Sequence, residues 1–401
     1  MRVTDTVIPS VVVLKPKVSP FYDPKVRSIV FQVALCLFIG WVIYEAVDNV
    51  RENLARAKIA SGMGFWDSNA GFPISQSLIF YSEASSSYGR AFWVGLLNTL
   101  LVASIGIVLA TILGFMVGIA RLSKNYLVAK IAYWYVEIIR NLPLLLQLLF
   151  WYNAVLKALP EVKDSLKIPG GGFLNNRGFI LPNPVLGDGF WLTGIAFWLG
   201  ILGAILYAMM AKKRQEKTGV QSPVALVALC LIVGLPALIF MISGMPLSFE
   251  FPTPSRFNIS GGISILPEFL ALLFGLVIYT AAFIAEAVRA GILAVSKGQT
   301  EAAYALGVKP KNTLSLIIIP QAMRVIIPPL TSNYLNLTKN SSLAVFVGYP
   351  DLVNIFTGTV LNQTGQAIEV VAITMMVYLT ISLTTSLFMN LYNARKALVE
   401  R

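Results

Sequence analysis

Eight stretches of this chain stay apolar for about the 20 residues that a helix needs to cross the hydrocarbon core of a bilayer. They fall near residues 28–48, 91–120, 129–156, 191–211, 223–245, 267–290, 321–338 and 367–392. Composition agrees: 56% of residues are hydrophobic and 12% charged, and mean hydropathy is +0.73. A water-facing surface could not accommodate that balance in a globular domain of this size. The expected fold is an all-α, polytopic membrane protein of about eight transmembrane helices.

Charge orients those helices. The formal net charge is +12, and the basic residues crowd into short segments, as in Lys15, Lys17, Lys25 and Arg27, then Lys212, Lys213, Arg214 and Lys217. By the positive-inside rule, segments 1–27, 121–128, 212–222, 291–320 and 393–401 face the cytoplasm, so both termini lie there. An even number of spans agrees. Basic residues used this way orient helices, and nucleic acid is not expected as a partner. The first apolar run lacks a small-residue cleavage site and reads as a retained anchor. The outer loops, with Pro169-Gly-Gly-Gly-Phe173 and Asn175-Asn-Arg-Gly178, suit irregular surface structure, and no folded domain is expected there. Histidine is absent, so no Cys/His metal centre is expected. Cys36 and Cys230 lie in apolar stretches, where buried, space-filling thiols are expected rather than a disulfide.

Between the sixth and seventh apolar runs lies Ser296-Lys-Gly-Gln-Thr-Glu-Ala-Ala-Tyr-Ala-Leu-Gly-Val-Lys-Pro310, whose signals describe a short helix. Thr300 is placed to cap its start, and Glu301 falls in the first turn, where a carboxylate suits the helix dipole. Ala302, Ala303 and Ala305 are strong helix formers. Gly307 can take the left-handed conformation that ends the helix, and Pro310 opens a second segment reaching about Ile319. Pro320 is expected to close that segment at the membrane edge. Such a small, alanine-faced helix can enter a groove on a soluble partner, and its anchored ends would carry the partner's motion into the flanking spans.

Glu301-Ala302-Ala303, Gly307 and Ile317-Ile318-Ile319-Pro320 resemble the EAA loop of ABC-importer permeases, with Ile319 where the family usually has Leu. Tyr135-Val-Glu-Ile-Ile-Arg-Asn-Leu-Pro-Leu-Leu-Leu-Gln147, Ala281-Ala-Phe-Ile-Ala-Glu-Ala-Val-Arg-Ala-Gly291, Gly298-Gln299 and Lys339-Asn-Ser-Ser-Leu343 are similar to blocks of the polar amino-acid (histidine-permease) group. Together they cover about residues 91–392, and the likeness is greatest to the general L-amino-acid permeases of Gram-negative bacteria. The resemblance implies a type I ABC-importer transmembrane fold. Its five-helix core would be the second, third, sixth, seventh and eighth spans, with the first, fourth and fifth added. The implied division is a cytoplasmic segment 1–27, a first helix and periplasmic loop 28–90, a permease domain 91–392 and a cytoplasmic tail 393–401. Within the permease domain fall an insertion at about 158–246 and the coupling loop 296–320. Glu301, Ala302, Ala303, Gly307, Ile317 and Pro320 would couple to the ATPase. The implied partners are two ATPase subunits, a second permease that is a paralogue, a periplasmic amino-acid-binding protein, the amino-acid substrate and lipid. No Gly-x-x-x-x-Gly-Lys-Ser/Thr loop occurs in the sequence; ATP and Mg would be bound by the ATPase, and this chain needs no cofactor of its own.

Polar residues within the spans suggest where a substrate passes. Pro328-Pro329 should kink the seventh span, and a polar face follows it; Asn333 and Asn336 are the first candidates for the path, with Gln147, Tyr279 and Thr280 behind them. Glu137 with Arg140 and Glu286 with Arg289, each three apart on a helix, read as structural ion pairs. Gly106, Ala110 and Gly114, at four-residue spacing, suit close helix packing. An ion-driven transporter would call for inverted repeats and midplane carboxylates, which the sequence does not display. A non-transporting membrane scaffold would use loop 296–320 for interaction alone.

Overall fold

The computed structural model describes residues 24–56, 61–255 and 258–396. Lys15, Lys17 and most of the two expected cytoplasmic ends lie outside the described residues. The long helices are α1 (Pro24–Arg56), α2 (Tyr88–Ala120), α3 (Tyr126–Asn141), α4 (Leu144–Leu156), α5 (Phe190–Thr218), α6 (Val224–Ile242) and α7 (Pro267–Leu293). A short α8 (Lys297–Ala305) follows, then α9 (Pro310–Phe346), a short helix α10 (353–364) and α11 (Ala367–Lys396). Among the described residues seven helices are long and apolar enough to cross a membrane, and the bent pair α3 and α4 makes an eighth. Every expected span is thus matched by helix.

The third span is not continuous, however: α3 and α4 meet at 107°. Pro143 has no N–H to continue the helix, and Leu142 before it is extended, with φ −97° and ψ 132°. The break leaves carbonyls at the end of α3 without helical partners. Gln147 Nε2 donates to two carbonyls there, Ile139 O and Leu142 O, at 3.0 Å each. Gln147, expected along the substrate path, is instead a buried staple across this corner. Pro328 and Pro329 both lie inside the helix from Ile319 to Asn340, which continues past them.

The core forms where α2 packs along α7. Gly114 faces Ile284, and Gly118 faces Ala285 and Val288, so small residues let the two backbones close up as expected. Helix α9 completes this layer, with Leu337 against Gly106. A second cluster packs Phe65, Phe72, Tyr88 and Phe92 on Phe356 of α10. Its polar counterpart lies close by: Asn98 Nδ2 donates to Pro350 O and Gln76 O, both at 2.8 Å, and Thr99 Oγ1 accepts from Leu352 N–H at 3.0 Å. Helices α5 and α6 pack on each other, Gly200 touching the Leu231 backbone. The membrane window of α1 is buried against nothing.

The loops after α4 and before α7 fold more than their composition suggests. Strands β1 (Leu166–Ile168), β2 (Gly172–Asn175), β3 (Gly178–Leu181) and β8 (Ile263–Ile265) form one antiparallel sheet in that order. Ile180 pairs with both Phe173 and Ser264, so the loop after α4 is joined to the one before α7 across the α5–α6 pair. A further hairpin pairs β4 (Asn183–Leu186) with β5 (Leu247–Glu250), and β6 (Thr253–Pro254) pairs with β7 (Ile259–Ser260). The glycines expected to make irregular structure turn the strands instead; Gly171, at φ +82°, sits in the turn between β1 and β2. Cys36 and Cys230 are free and exposed, not buried. On faces turned toward lipid a thiol behaves as a small apolar group.

Candidate functional site

Helix α8 begins one turn before the expected cap. Ser296 holds the N-cap position and Thr300 lies inside the helix, since Lys297, Gly298 and Gln299 are already helical. The other end forms as expected. Gly307 has φ +74°, its N–H donates to Tyr304 O at 2.9 Å, and the Val308 N–H donates to Ala303 O at 3.0 Å. These two bonds define a Schellman stop, which a left-handed residue makes possible. Ala303 is buried, whereas Glu301 and Ala302 are exposed and Leu306 is 82% exposed. A compact helix therefore presents Glu301, small alanines and two large exposed side chains, Tyr304 and Leu306.

The second segment starts at Pro310, which needs no N–H in the first turn. It does not close at Pro320. A wide turn at Thr313–Ile318 precedes that residue, and the helix continues as one piece to Phe346. Such widening accommodates a proline ring that would otherwise collide with a carbonyl four residues earlier. Ile317, beside it, is partly buried. Gln321 Nε2 donates to Gln299 Oε1 at 3.3 Å, tying the foot of α9 to α8.

Beside this loop, Glu286 of α7 gathers three arginines. Arg289 Nη2 is 2.6 Å from Glu286 Oε1, Arg121 at the end of α2 bonds Glu286 Oε2, and Arg140 Nη1 of α3 is 4.0 Å from the same oxygen. The Glu286–Arg289 pair is thus as expected. The Glu137–Arg140 pair is not: Arg140 turns toward Glu286, and among the described residues the Glu137 carboxylate makes no ion pair. One carboxylate shared by α2, α3 and α7 holds more structure than two separate pairs would.

Four of the five path candidates come together. Tyr279 and Thr280 of α7 and Asn333 and Asn336 of α9 line a cavity of about 270 Å³ with Phe283 and Asn340. Asn340 and Phe283 are the members that sequence reading missed. The spacing 333, 336, 340 puts three amides on one helical face, and 279, 280, 283 does the same for α7, so periodicity carries the signal. Gln147 is absent from the lining. The cavity offers amide and hydroxyl groups of both donor and acceptor kind and no charged side chain. The guanidinium of Arg140 lies 5.1 Å from the centre of the Phe283 ring. Among the described residues no group of three or more His, Cys, Asp or Glu could hold a metal.

Similarity to known proteins adds what geometry alone does not. Residues 218–398 match the family model described as "Binding-protein-dependent transport system inner membrane component". The chain is 51% identical to the general L-amino acid transport system permease protein AapQ of Rhizobium johnstonii, over 96% of this chain and 95% of that protein. It is 50% identical to the putative amino-acid ABC transporter permease protein YhdX of Escherichia coli, over 95% and 97%. Identity is 41% to the glutamate/glutamine/aspartate/asparagine transport system permease protein BztB of Rhodobacter capsulatus, over 95% and 96%. A solved structure titled "Crystal structure of an amino acid ABC transporter with histidines" covers 77% of this chain and 95% of its own, at 21% identity and a TM-score of 0.46.

The chain belongs to the family of binding-protein-dependent inner-membrane transport components. Within that family it is an ABC-importer permease of the type I transmembrane fold, a transport subunit rather than an enzyme. Membership gives it an inner-membrane location and implies an ATPase and a substrate-binding protein as partners.

Proposed function

We propose that this chain is the permease through which L-amino acids, polar or of broad range, cross the inner membrane. The observation that carries the reading is one of continuity. Helices α7 and α9, which line the amide cavity, are the same two helices that segment 294–309, with α8 in it, joins. A force applied at α8 enters both walls of the cavity directly. On this reading an ATPase groove receives α8, with Glu301, Ala302, Ala303 and Gly307 at the contact and Ile317 and Pro320 carrying motion into α9. Asn333, Asn336, Tyr279 and Thr280 contact the substrate in passing. Segment 291–320 and both termini are cytoplasmic, in keeping with the charge bias of the short loops. Two ATPases, which hold the ATP and Mg, a paralogous second permease and a periplasmic binding protein complete the assembly. The permease domain spans about 91–392. The mutual packing of α5 and α6 is in keeping with their being an insertion at about 158–246.

Reconstitution tests this. In proteoliposomes, uptake of labelled L-amino acids is expected only with ATP inside, the ATPase and second permease assembled, and the binding protein outside. Uptake driven by an ion gradient alone would sink the reading. Intact docking with no uptake under any condition would favour a scaffold instead.

A further inference from the structure

Consecutive residues near the end of α9 face two different cavities. Asn340 lines the amide cavity, whereas Lys339 lines another of about 600 Å³ between α9, α10 and α11. The second cavity is an open groove, mostly apolar, with Lys339 exposed at its edge. Phe346, Val353, Val371 and Leu379 form apolar walls, and Lys339, Ser342, Thr357, Tyr378 and Ser382 supply polar groups. The hydroxyl of Ser382 is buried and has no hydrogen-bond partner.

Lys339 has no carboxylate partner among the described residues; the ion pairs lie elsewhere. The acid behind the cavity wall, Asp351, is fully buried and already engaged. Its Oδ1 accepts the Asn354 N–H at 2.8 Å, and its Oδ2 accepts the Tyr378 hydroxyl at 3.2 Å. Lys339 is seven residues inside the Phe346 end of its span, about 10 Å at the rise of a helix. The cavity reaches Ser382, near the midpoint of α11 (Ala367–Lys396). An ammonium group facing hydrocarbon at such depth is costly, and intramembrane lysines face a bundle interior or a wet cavity, where they meet an anion. Nothing in the amide cavity can supply a full positive charge, and Lys339 can.

We propose that this second cavity is a substrate site in which Lys339 binds the α-carboxylate of the passing amino acid. The carboxylate is common to every amino acid, so one lysine can serve a broad range. Apolar walls accept side chains, and the hydroxyls of Ser342 and Ser382 are the nearby polar groups for the substrate's remaining donors and acceptors. The site rests on the amino-acid transport reading above.

The assembled transporter, in nanodiscs with its second permease and ATPase, is reductively methylated and Lys339 labelling is read by mass spectrometry. Three samples are compared: no addition, a mixture of L-amino acids, and the same mixture as α-amides. The amides carry the same reactive amine, so they control for consumption of reagent. The acids are expected to lower labelling at Lys339 several-fold and the amides to leave it unchanged, with exposed Lys213 of α5 unaffected throughout. Equal labelling with acids and amides overturns the site. So does a Lys339 that is already unreactive without additions, which means that a partner subunit's acid or a lipid covers it. In uptake assays Lys339→Met should lose about ten-fold or more, the scale of one charge-assisted hydrogen bond, while Lys339→Arg keeps most activity. Wild-type uptake by Lys339→Met also overturns the proposal. If Lys339→Met does not assemble, the labelling of the wild type decides. Wild-type complexes that take up no amino acid at all refute the transport reading itself, and this site with it.

Discussion

The contact between α2 and α7 makes a graded prediction from one substitution placed at four glycines. A Cβ built on Gly114 would lie 2.5 Å from Ile284 Cγ2 and 2.6 Å from Ile284 Cβ, against an ordinary limit of 3.4 Å. The shortfall is about 0.9 Å, and a β-branched side chain cannot rotate its own Cβ away. At Gly118 the Cβ would meet Ala285 O and Val288 Cβ, both at 2.8 Å, a shortfall of about 0.6 Å against backbone and branch point. At Gly106 the nearest atom is the tip of Leu337, at 3.2 Å, which can yield. Gly40 on α1 has nothing within 4 Å. Every Gly→Ala change gains helix propensity, about 1 kcal/mol. Overpacking should cost about 1–3 kcal/mol at Gly114 and Gly118 and little elsewhere. The assay is thermal: the purified protein is heated and the fraction still monodisperse is measured by gel filtration. Gly114→Ala should melt lowest, several degrees below Gly40→Ala at roughly 2–4 °C per kcal/mol, followed by Gly118→Ala and Gly106→Ala. The double variant at 114 and 118 should lose less than the sum, because the first substitution already separates the helices. A Gly114→Ala protein that melts with Gly40→Ala would refute the close approach of α2 to α7.

Other predictions test the loop, the ion cluster and the cavity. Gly307→Val places a β-branched residue at φ +74°, a local cost of at least about 1–2 kcal/mol, so the Schellman stop should fail. Insertion should survive while hydrolysis and uptake become uncoupled, in both this variant and Glu301→Lys, as read by ATPase and uptake assays on co-purified complexes. Glu286→Gln leaves Arg121, Arg140 and Arg289 around a neutral group and should lower the melting temperature by several degrees; Glu137→Gln should not move it. Asn333→Ala and Asn336→Ala should each cut uptake about ten-fold at equal expression. Wild-type rates in both would remove the cavity from the path.

Much of the fold was legible in the sequence because its signals are local. An apolar run of the right length specifies a span wherever its neighbours lie. Gly307 and Pro310 punctuate α8 through their own backbone limits. The misreadings share a cause. Thr300 and Ser296 are both good caps, and propensity does not decide between them. Pro320 read as a stop, yet a widened turn before it lets α9 continue. Pro143, in contrast, did break its helix, with Gln147 placed to bond the freed carbonyls. The four-stranded sheet went unread because the short β1–β2–β3 turns carry only Gly, Asn and Pro signals that also suit irregular loops, and β3 pairs with β8 from more than eighty residues on.

The sequence by itself determined the span count, the basic clusters in the short loops, and the short helix after α7 with its glycine stop. Each follows from residues within a few turns of one another. Only the tertiary structure decided that Arg140 turns to Glu286, that Asn340 joins Asn333 and Asn336 in one cavity, and that Lys339 faces another beside Tyr378. Asp351 shows the reason most plainly: no local pattern marks it, and its burial depends on α2, α10 and α11 arriving together. Which face of a helix meets which neighbour is set by packing between segments far apart in the chain, and a pattern confined to one segment does not contain it.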